Sequence, residues 1–236
     1  MKRSIELYAE SYEAQSKIDD FMEIPAEDLV RVVNIHKIRP QKHGRALDFG
    51  CGDGRHVEYL NKRGFKVTAT DVSQSAIKAT NFRMNLIGNA EVQLDLLEPG
   101  QMLPYDNASF ELVISWETIH WVGSKKLFLQ YMNEFKRVLD KNGKIIVTMP
   151  TEFHYLKDYS IEEGDCVYRC RAEERDNTTF YSPNLTTLKH LFEDVLGLKI
   201  LDIFRYDHGR SSGGSLQSIT IRNLFSMYAF LLEDGV

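Results

Sequence analysis

The sequence is short of the features that would place it in several common classes. Cysteine occurs only at positions 51, 166 and 170. An odd, small number without a secretory leader argues against a disulfide framework and for reduced thiols. Cys166 and Cys170 are too few for a structural zinc site, and no histidine stands near them at a ligand spacing, so no metal is expected. The opening "MKRSIELYAESYEAQSK" is charged and lacks an apolar h-region, so it does not read as a signal peptide. No apolar run approaches the ~20 residues needed to span a bilayer. Positive charge is not in excess: the net charge is −5, which supplies no electrostatic reason to expect a nucleic-acid partner. Internal repeats and low-complexity tracts are absent as well. The expectation is a cytoplasmic globular protein, monomeric or homodimeric. With 236 residues, 43% hydrophobic and 27% charged, it is long enough to bury a sizeable core as one domain spanning 1–236.

What is present is an alternation of short strands and helices. Ile24 to Ile38 reads as a helix, with Leu29, Val32, Val33 and Ile38 at a helical period, and residues 1–40 form an N-terminal cap. "RALDF", "FKVTATD", "AEVQLDL", "SFELVISW" and "KIIVTMP" read as five strands. Between them lie "GRHVEYLNKRG", "SQSAIKATNFRMNLIG" with Ser73 as N-cap, and "SKKLFLQYMNEFKRVLDKNG", whose Leu127, Tyr131, Phe135, Val138 and Leu139 fall on one face. Residues 151–183 break the rhythm and read as a lid or insertion after the fifth strand. A helix "SPNLTTLKHLFEDVLG" follows, then "LKILDIFRYD" and "SLQSITIRNLF", separated only by "HGRSSGG". Such a short link forces antiparallel pairing, since a parallel crossover needs a dozen or more residues. The fold class is therefore α/β, a three-layer sandwich with a mostly parallel seven-stranded sheet whose last strand is antiparallel.

The stretch "ALDFGCGDG" puts Gly50, Gly52 and Gly54 between the first strand and its helix. Bare backbone there approaches a ligand closely. A dinucleotide fingerprint is G-x-G-x-x-G, but here the spacing is G-x-G-x-G and Arg55 stands at the third fingerprint position. Asp48, two residues before the first glycine, would repel a pyrophosphate, so the ligand's tail is not phosphate. Asp71 closes the second strand, where a carboxylate accepts from ribose hydroxyls, and Asp95 closes the third, where one accepts from an adenine amino group. All three acids fall at strand C-terminal ends, where open α/β sheets bind ligands.

Together with "TATDVS", "VQLDLLEP", "LPYDNASFELVISWETIHWV" and "FKRVLDKNGKIIVT", this stretch resembles the class I S-adenosylmethionine (SAM)-dependent methyltransferases, in particular the type 11 small-molecule branch. The resemblance covers Arg45 to Met149 strongly and the terminal strand pair weakly. It implies SAM as cofactor and S-adenosylhomocysteine as product, with methyl transfer to an O or N atom of a small-molecule acceptor. It implies that Asp48 and the loop Gly50, Cys51, Gly52 and Gly54 hold the methionine part. Asp71 and Val72 would sit at the ribose, Asp95 and Leu96 at the adenine, and Ser115 and Trp116 near the sulfonium. Tyr12, or Tyr8, in the lead-in "YAESYEA" would close over the cofactor or serve as a packed aromatic anchor.

Two readings remain for His120 in "SWETIHWVG": a general base of near-neutral pKa, or a side chain packed in a helical turn. Trp116 and Trp121 are pocket walls or core. Arg169, Arg171 and Arg175 alternate with glutamates, which favours a solvated, salt-bridged surface over an anion grip. Three rival functions stand beside the small-molecule reading. An RNA or protein methyltransferase on the same fold is one, although "SWET" replaces the N/D-P-P-Y/F motif of the base-modifying amino methyltransferases. A nicotinamide oxidoreductase is the second. A SAM-binding protein that methylates nothing is the third.

Overall fold

A computed structural model describes residues 24–89, 92–171, 177–209 and 224–235. Its main sheet has seven strands: β1 (Arg45–Phe49), β2 (Lys66–Asp71), β3 (Gln93–Leu96), β4 (Phe110–Ser115), β5 (Leu139–Pro150), β9 (Leu198–Gly209) and β10 (Leu224–Asp234). Their order is β3-β2-β1-β4-β5-β10-β9. β1 pairs in parallel with both β2 and β4, and β4 with β5, whereas β10 runs antiparallel between β5 and β9. The order reverses between β1 and β4, because the chain leaves β1 toward β2 and returns to β1's other side with β4. Such a switch point opens a crevice at the strand C-terminal ends.

Helices cover both faces. On one face lie α1 (Glu27–Ile35), α2 (Arg55–Lys62) and α3 (Gln74–Leu86). Leu29, Val33, Val57 and Met84 there bury against Ala46, Leu112 and Ile114. On the other lies α4 (Lys125–Val138), which sets Phe128, Tyr131 and Phe135 against Leu47, Val113 and Val147. Ser124 caps α4 by accepting from the Leu127 N–H at 3.2 Å. Each fully buried aromatic of this face contributes about 1.5–3 kcal/mol by leaving water. Coverage on both sides explains why β1 and β4 are near-continuous apolar runs rather than alternating ones.

Several boundaries depart from the sequence expectation. The first helix is only Glu27–Ile35, because Lys37 turns into the left-handed region at φ 52. α4 ends at Val138 rather than running to Gly143: Leu139 already pairs with Phe110, and the register then jumps to Lys144 opposite Leu112, leaving 140–143 looped out of the ladder. The helix after the insertion is a short α5 (Leu185–His190) that widens into a π turn, Leu191–Val195. The described strand beside β9 is "LFSMYAFLLED"; of the expected "SLQSITIRNLF", Leu224 and Phe225 begin it and residues 215–223 lie outside the described residues. The insertion itself carries a 3₁₀ turn (Tyr155–Tyr159) and a small antiparallel sheet of β6 (Ser160–Gly164), β7 (Val167–Cys170) and β8 (Thr179–Tyr181). Of the expected cap, only residues from 24 onward are described, so Tyr8 and Tyr12 lie outside, as does Arg175.

Candidate functional site

The glycine loop is a set of backbone turns held from below. Gly50, Gly52 and Gly54 take φ of 80°, 57° and 83°, a region that costs other residues a Cβ clash. The N–H groups of Gly50 and Cys51 both donate to the Thr70 carbonyl, at 2.8 and 2.9 Å. Gly52 N–H donates to Asp71 Oδ2 at 3.0 Å, and Ser73 N–H to Asp71 Oδ1 at 2.9 Å. From α3, Thr80 Oγ1 donates to the Gly52 carbonyl at 2.9 Å and Arg83 Nε to the Asp53 carbonyl at 2.9 Å. A Cβ on Gly50 would sit 2.1 Å from Thr118 Cγ2, and one on Gly54 2.9 Å from Thr80 Cγ2. The glycines are therefore steric requirements as well as conformational ones.

Asp48 lies beneath this loop, 1% exposed on the central strand. No group among the described residues reaches its Oδ2. Burial, reinforced by the Asp71 charge and opposed by Arg55, pushes its pKa up to about 8. That oxygen's acceptor capacity is unused among the described residues, and Asp48 itself is not among the pocket's lining residues. Asp71 is also raised by burial, but the N–H groups of Ser73, Gly52 and Val72 pull it back down. With three backbone donors shared between its two oxygens, it keeps a lone pair to accept from a hydroxyl.

Directly above the loop is a pocket of about 520 Å³, counted to its open mouth. Of the residues expected at a ligand, Gly50, Gly52, Asp71 and Val72 line it. Its other walls include Leu97, Thr118, Trp121 and Val122. The size is that of a small-molecule site. Cys51 is buried and its thiol is pushed well above its ordinary value by burial and then by the Asp71 and Asp48 charges, so it is a packing residue. Asp95 Oδ2 accepts from Tyr105 Oη and from Gln93 Nε2, each at 2.7 Å. Leu96 is 46% exposed, and the neighbouring Leu97 is the one that faces the pocket.

Ser115 is fully buried at the end of β4. Trp116 does not line the pocket: its ring stacks on Tyr206 at 5.3 Å in the core on the α1–α3 side. His120 is 3% exposed in a 3₁₀ turn (Ile119–Val122), its ring 4.9 Å from that of Trp121, and it is not among the pocket's lining residues. Trp121 is both wall and core, packing with Tyr155, Leu156, Cys170 and Phe180 of the insertion. Sequence reasoning missed Thr118 and Leu97. Thr118 has no local signature, and its role appears only once β4 and the loop are adjacent. Among the described residues, no group of three or more His, Cys, Asp or Glu side chains is arranged to hold a metal, and no helix is long and apolar enough to cross a membrane.

Residues 47–147 match the family described as "Methyltransferase domain". A rat protein named arginine-hydroxylase NDUFAF5, mitochondrial, is 35% identical over 105 residues, 44% of this chain but 28% of that one. The trans-aconitate 2-methyltransferase of Rhizobium leguminosarum bv. trifolii is 29% identical over 153 residues, covering 63% of this chain and 53% of its own. The chain thus spans less than a third of the first relative and about half of the second. Among solved structures, the Burkholderia thailandensis 1,6-didemethyltoxoflavin-N1-methyltransferase, bound to its substrate and S-adenosylhomocysteine, superposes with a TM-score of 0.68. That likeness covers 99% of this chain and 87% of that one at 13% identity, so it speaks for the fold. The glycine loop, the acids at the strand ends and the strand order with its antiparallel β10 accord with that matched segment: residues 47–147 are similar to a SAM-dependent methyltransferase domain of the type 11 family, on a Rossmann-like methyltransferase fold.

Proposed function

We propose that the protein transfers a methyl group from SAM to an oxygen or nitrogen of a small-molecule acceptor. The observation that carries this reading is Asp48, a buried carboxyl with an oxygen that has no donor among the described residues, set under a loop of three left-handed glycines beside Asp71. The arrangement fits an adenosine that carries an amino-acid tail. Asp48 would take the ammonium of that tail, the loop would admit its backbone-sized chain, and Asp71 would accept from the ribose hydroxyls. Val72 and Leu97 would flank the adenosine, with Asp95 at the adenine amino group.

SAM supplies a methyl group made labile by its sulfonium. The protein's part is to fix donor and acceptor in line and to exclude water. Thr118, Trp121 and Val122 wall the pocket on the side of the insertion and would do the excluding. A small acceptor is favoured by the apolar, aromatic character of that side, where Trp121 packs on Phe180 at 5.8 Å. The cytoplasmic location, the single-domain organisation, the closing role of Tyr12 and His120 as general base belong to the same proposal. For His120, substitution by Gln with a pH–rate profile decides: a base leaves the profile without its lower limb, and an unchanged profile assigns the residue to packing.

The reading is tested by calorimetric titration with SAM, S-adenosylhomocysteine and NADH, followed by methyl transfer from labelled SAM into small-molecule and protein fractions. Micromolar binding of SAM and S-adenosylhomocysteine with label in the small-molecule fraction is expected. Binding of NADH alone would overturn the assignment. Label confined to protein would replace the small acceptor with a polypeptide, a reading that the NDUFAF5 relative's name keeps in view.

A further inference from the structure

Glu117, just beyond β4, has a backbone that a glutamate adopts at a cost: its φ is 58°, in the left-handed region. Its contacts explain what holds it there. Its N–H donates to Thr148 Oγ1 on β5 at 2.7 Å. Its Oε1 accepts from Trp116 Nε1 at 3.2 Å and from Tyr206 Oη on β9 at 3.1 Å. Its Oε2 lies 3.8 Å from Arg55 Nη2, the first residue of α2, immediately past Gly54. One side chain therefore ties together the end of β4, the sheet on its far side and the helix that leaves the glycine loop. The phenol of Tyr206 is held well above its ordinary pKa by burial and by the Glu117 charge, which keeps it a donor.

The next residue converts this tether into a pocket wall. Thr118 Oγ1 bonds the Gly50 carbonyl at 3.2 Å and the Trp116 carbonyl at 3.1 Å, and its methyl fills the space where Gly50 has no Cβ. The turn carrying Trp121 and Val122 follows directly. We infer that Glu117 is a positioning residue: its carboxylate fixes the reversed turn that sets Thr118, Trp121 and Val122 over the glycine loop, and so presets the cofactor pocket. This rests on the proposed SAM-binding reading. The residue touches none of the reacting atoms and acts through Thr118.

A purely structural role and a positioning role differ in how tightly the folded Glu117→Gly protein binds. Glycine relieves the backbone cost of a φ of 58° while removing the carboxylate. The test measures S-adenosylhomocysteine affinity by calorimetry and unfolding by urea, for the whole chain and for Glu117→Gly and Glu117→Gln. The expected result is a Glu117→Gly protein that is less stable, because Trp116 and Tyr206 lose their acceptor, yet fully folded without urea, and that in this folded state binds about 10-fold more weakly. Glutamine keeps an accepting oxygen for Trp116 and Tyr206 and should restore affinity to within about 3-fold of the parent. Glu117→Gly binding as tightly as the parent would overturn the inference. So would a glutamine variant as weak as the glycine one. A parent protein that does not bind S-adenosylhomocysteine at all would instead overturn the underlying SAM reading.

Discussion

Asp48→Asn isolates the site's most perturbed group. In the folded protein the carboxyl titrates at about 8, against an ordinary 3.8. At neutral pH the unfolded chain is ionised there while the folded chain holds the proton, so folding takes up a proton between these two values. The sign follows: the folded pKa is raised, so stability is full below pH 3.8 and is lost as pH rises toward 8. Each pH unit in that window removes about 1.4 kcal/mol, and the accumulated cost at pH 7 is on the order of 2–4 kcal/mol after allowing for local relaxation. Asparagine does not titrate, so Asp48→Asn escapes this loss. It also buries an amide, which costs about 1–3 kcal/mol at every pH. The absolute gain is therefore ambiguous and the slope is not. Urea unfolding from pH 4 to pH 8, with no ligand added, should show the parent losing stability relative to Asp48→Asn, the difference growing steadily and levelling above pH 8. A difference that does not change with pH would refute the argument that burial holds this carboxyl protonated.

The same group makes a linked claim about binding. A ligand ammonium favours the ionised carboxylate, so binding of S-adenosylhomocysteine at pH 7 should expel the Asp48 proton. Calorimetry in buffers of different ionisation enthalpy should detect nearly one proton released. Affinity should rise by up to about 10-fold per pH unit between pH 6 and 8. Asp48→Asn should abolish both effects and weaken binding by about 100-fold, the scale of a charge-assisted hydrogen bond in a buried site. Proton release that persists in Asp48→Asn would assign it to another group.

Three further outcomes follow from packing and charge. Gly50→Ala places a Cβ 2.1 Å from Thr118 Cγ2 at a φ of 80°; it should cost about 2–4 kcal/mol in urea unfolding and abolish S-adenosylhomocysteine binding, and Thr118→Ser should recover only part of either. Arg83 is 7% exposed and pairs with Asp53 at 3.2 Å and Glu58 at 3.0 Å beneath the loop; Arg83→Met should destabilise by about 2–4 kcal/mol, because Asp53 loses this cation while Glu58 keeps only Lys62. Glu111 would be raised by burial, but the backbone N–H groups of Gln41, His43, Gly44 and Lys42 outweigh it and hold its pKa at about 2; its stabilisation, about 1–2 kcal/mol, should be full above pH 4.5 and vanish as pH falls through 2, so that Glu111→Gln and the parent unfold alike in acid.

The parts that were readable from sequence are those where one physical cause dominates. β1 and β4 are apolar because both faces are covered, and each ends in a turn or an acid that marks its boundary. Gly50, Gly52 and Asp71 were recognisable because the positive φ and the strand-end position each demand a residue type. The end of α4 was not readable. Leu139 completes the helix's apolar stripe, so its pattern continues a helix while its backbone already pairs with Phe110. Most of β10 was not readable for a related reason. Between β5 and β9, "LFSMYAFLLED" is a largely apolar run whose periodicity does not separate strand from helix. Trp116 and Thr118 are two residues apart, yet one packs with the α1–α3 side and the other roofs Gly50. The left-handed Glu117 between them is what separates the two, and no periodicity encodes a single non-glycine residue at positive φ.

That reversal also bears on why the acceptor was the least legible part. The proposed cofactor side is built from backbone groups at the ends of β1 and β2, which residue types such as Gly and Asp announce. The opposite wall is built from side chains whose places depend on other segments. Trp121 lines the pocket but packs on Phe180 of β8, and Tyr168 of β7 stacks on Phe180 at 5.4 Å. Lys157 sits 4.7 Å over the Tyr168 ring and donates to the Ser182 carbonyl at 3.2 Å, tying the 3₁₀ turn to β7 and to the end of β8. The wall's shape is thus set by an aromatic stack running through the insertion, and close-packed stacks pass on displacements rather than absorb them. Acceptor preference should accordingly change with substitutions along Phe180 and Tyr168, which do not line the pocket, while the acids and glycines proposed to hold the methyl donor stay the same.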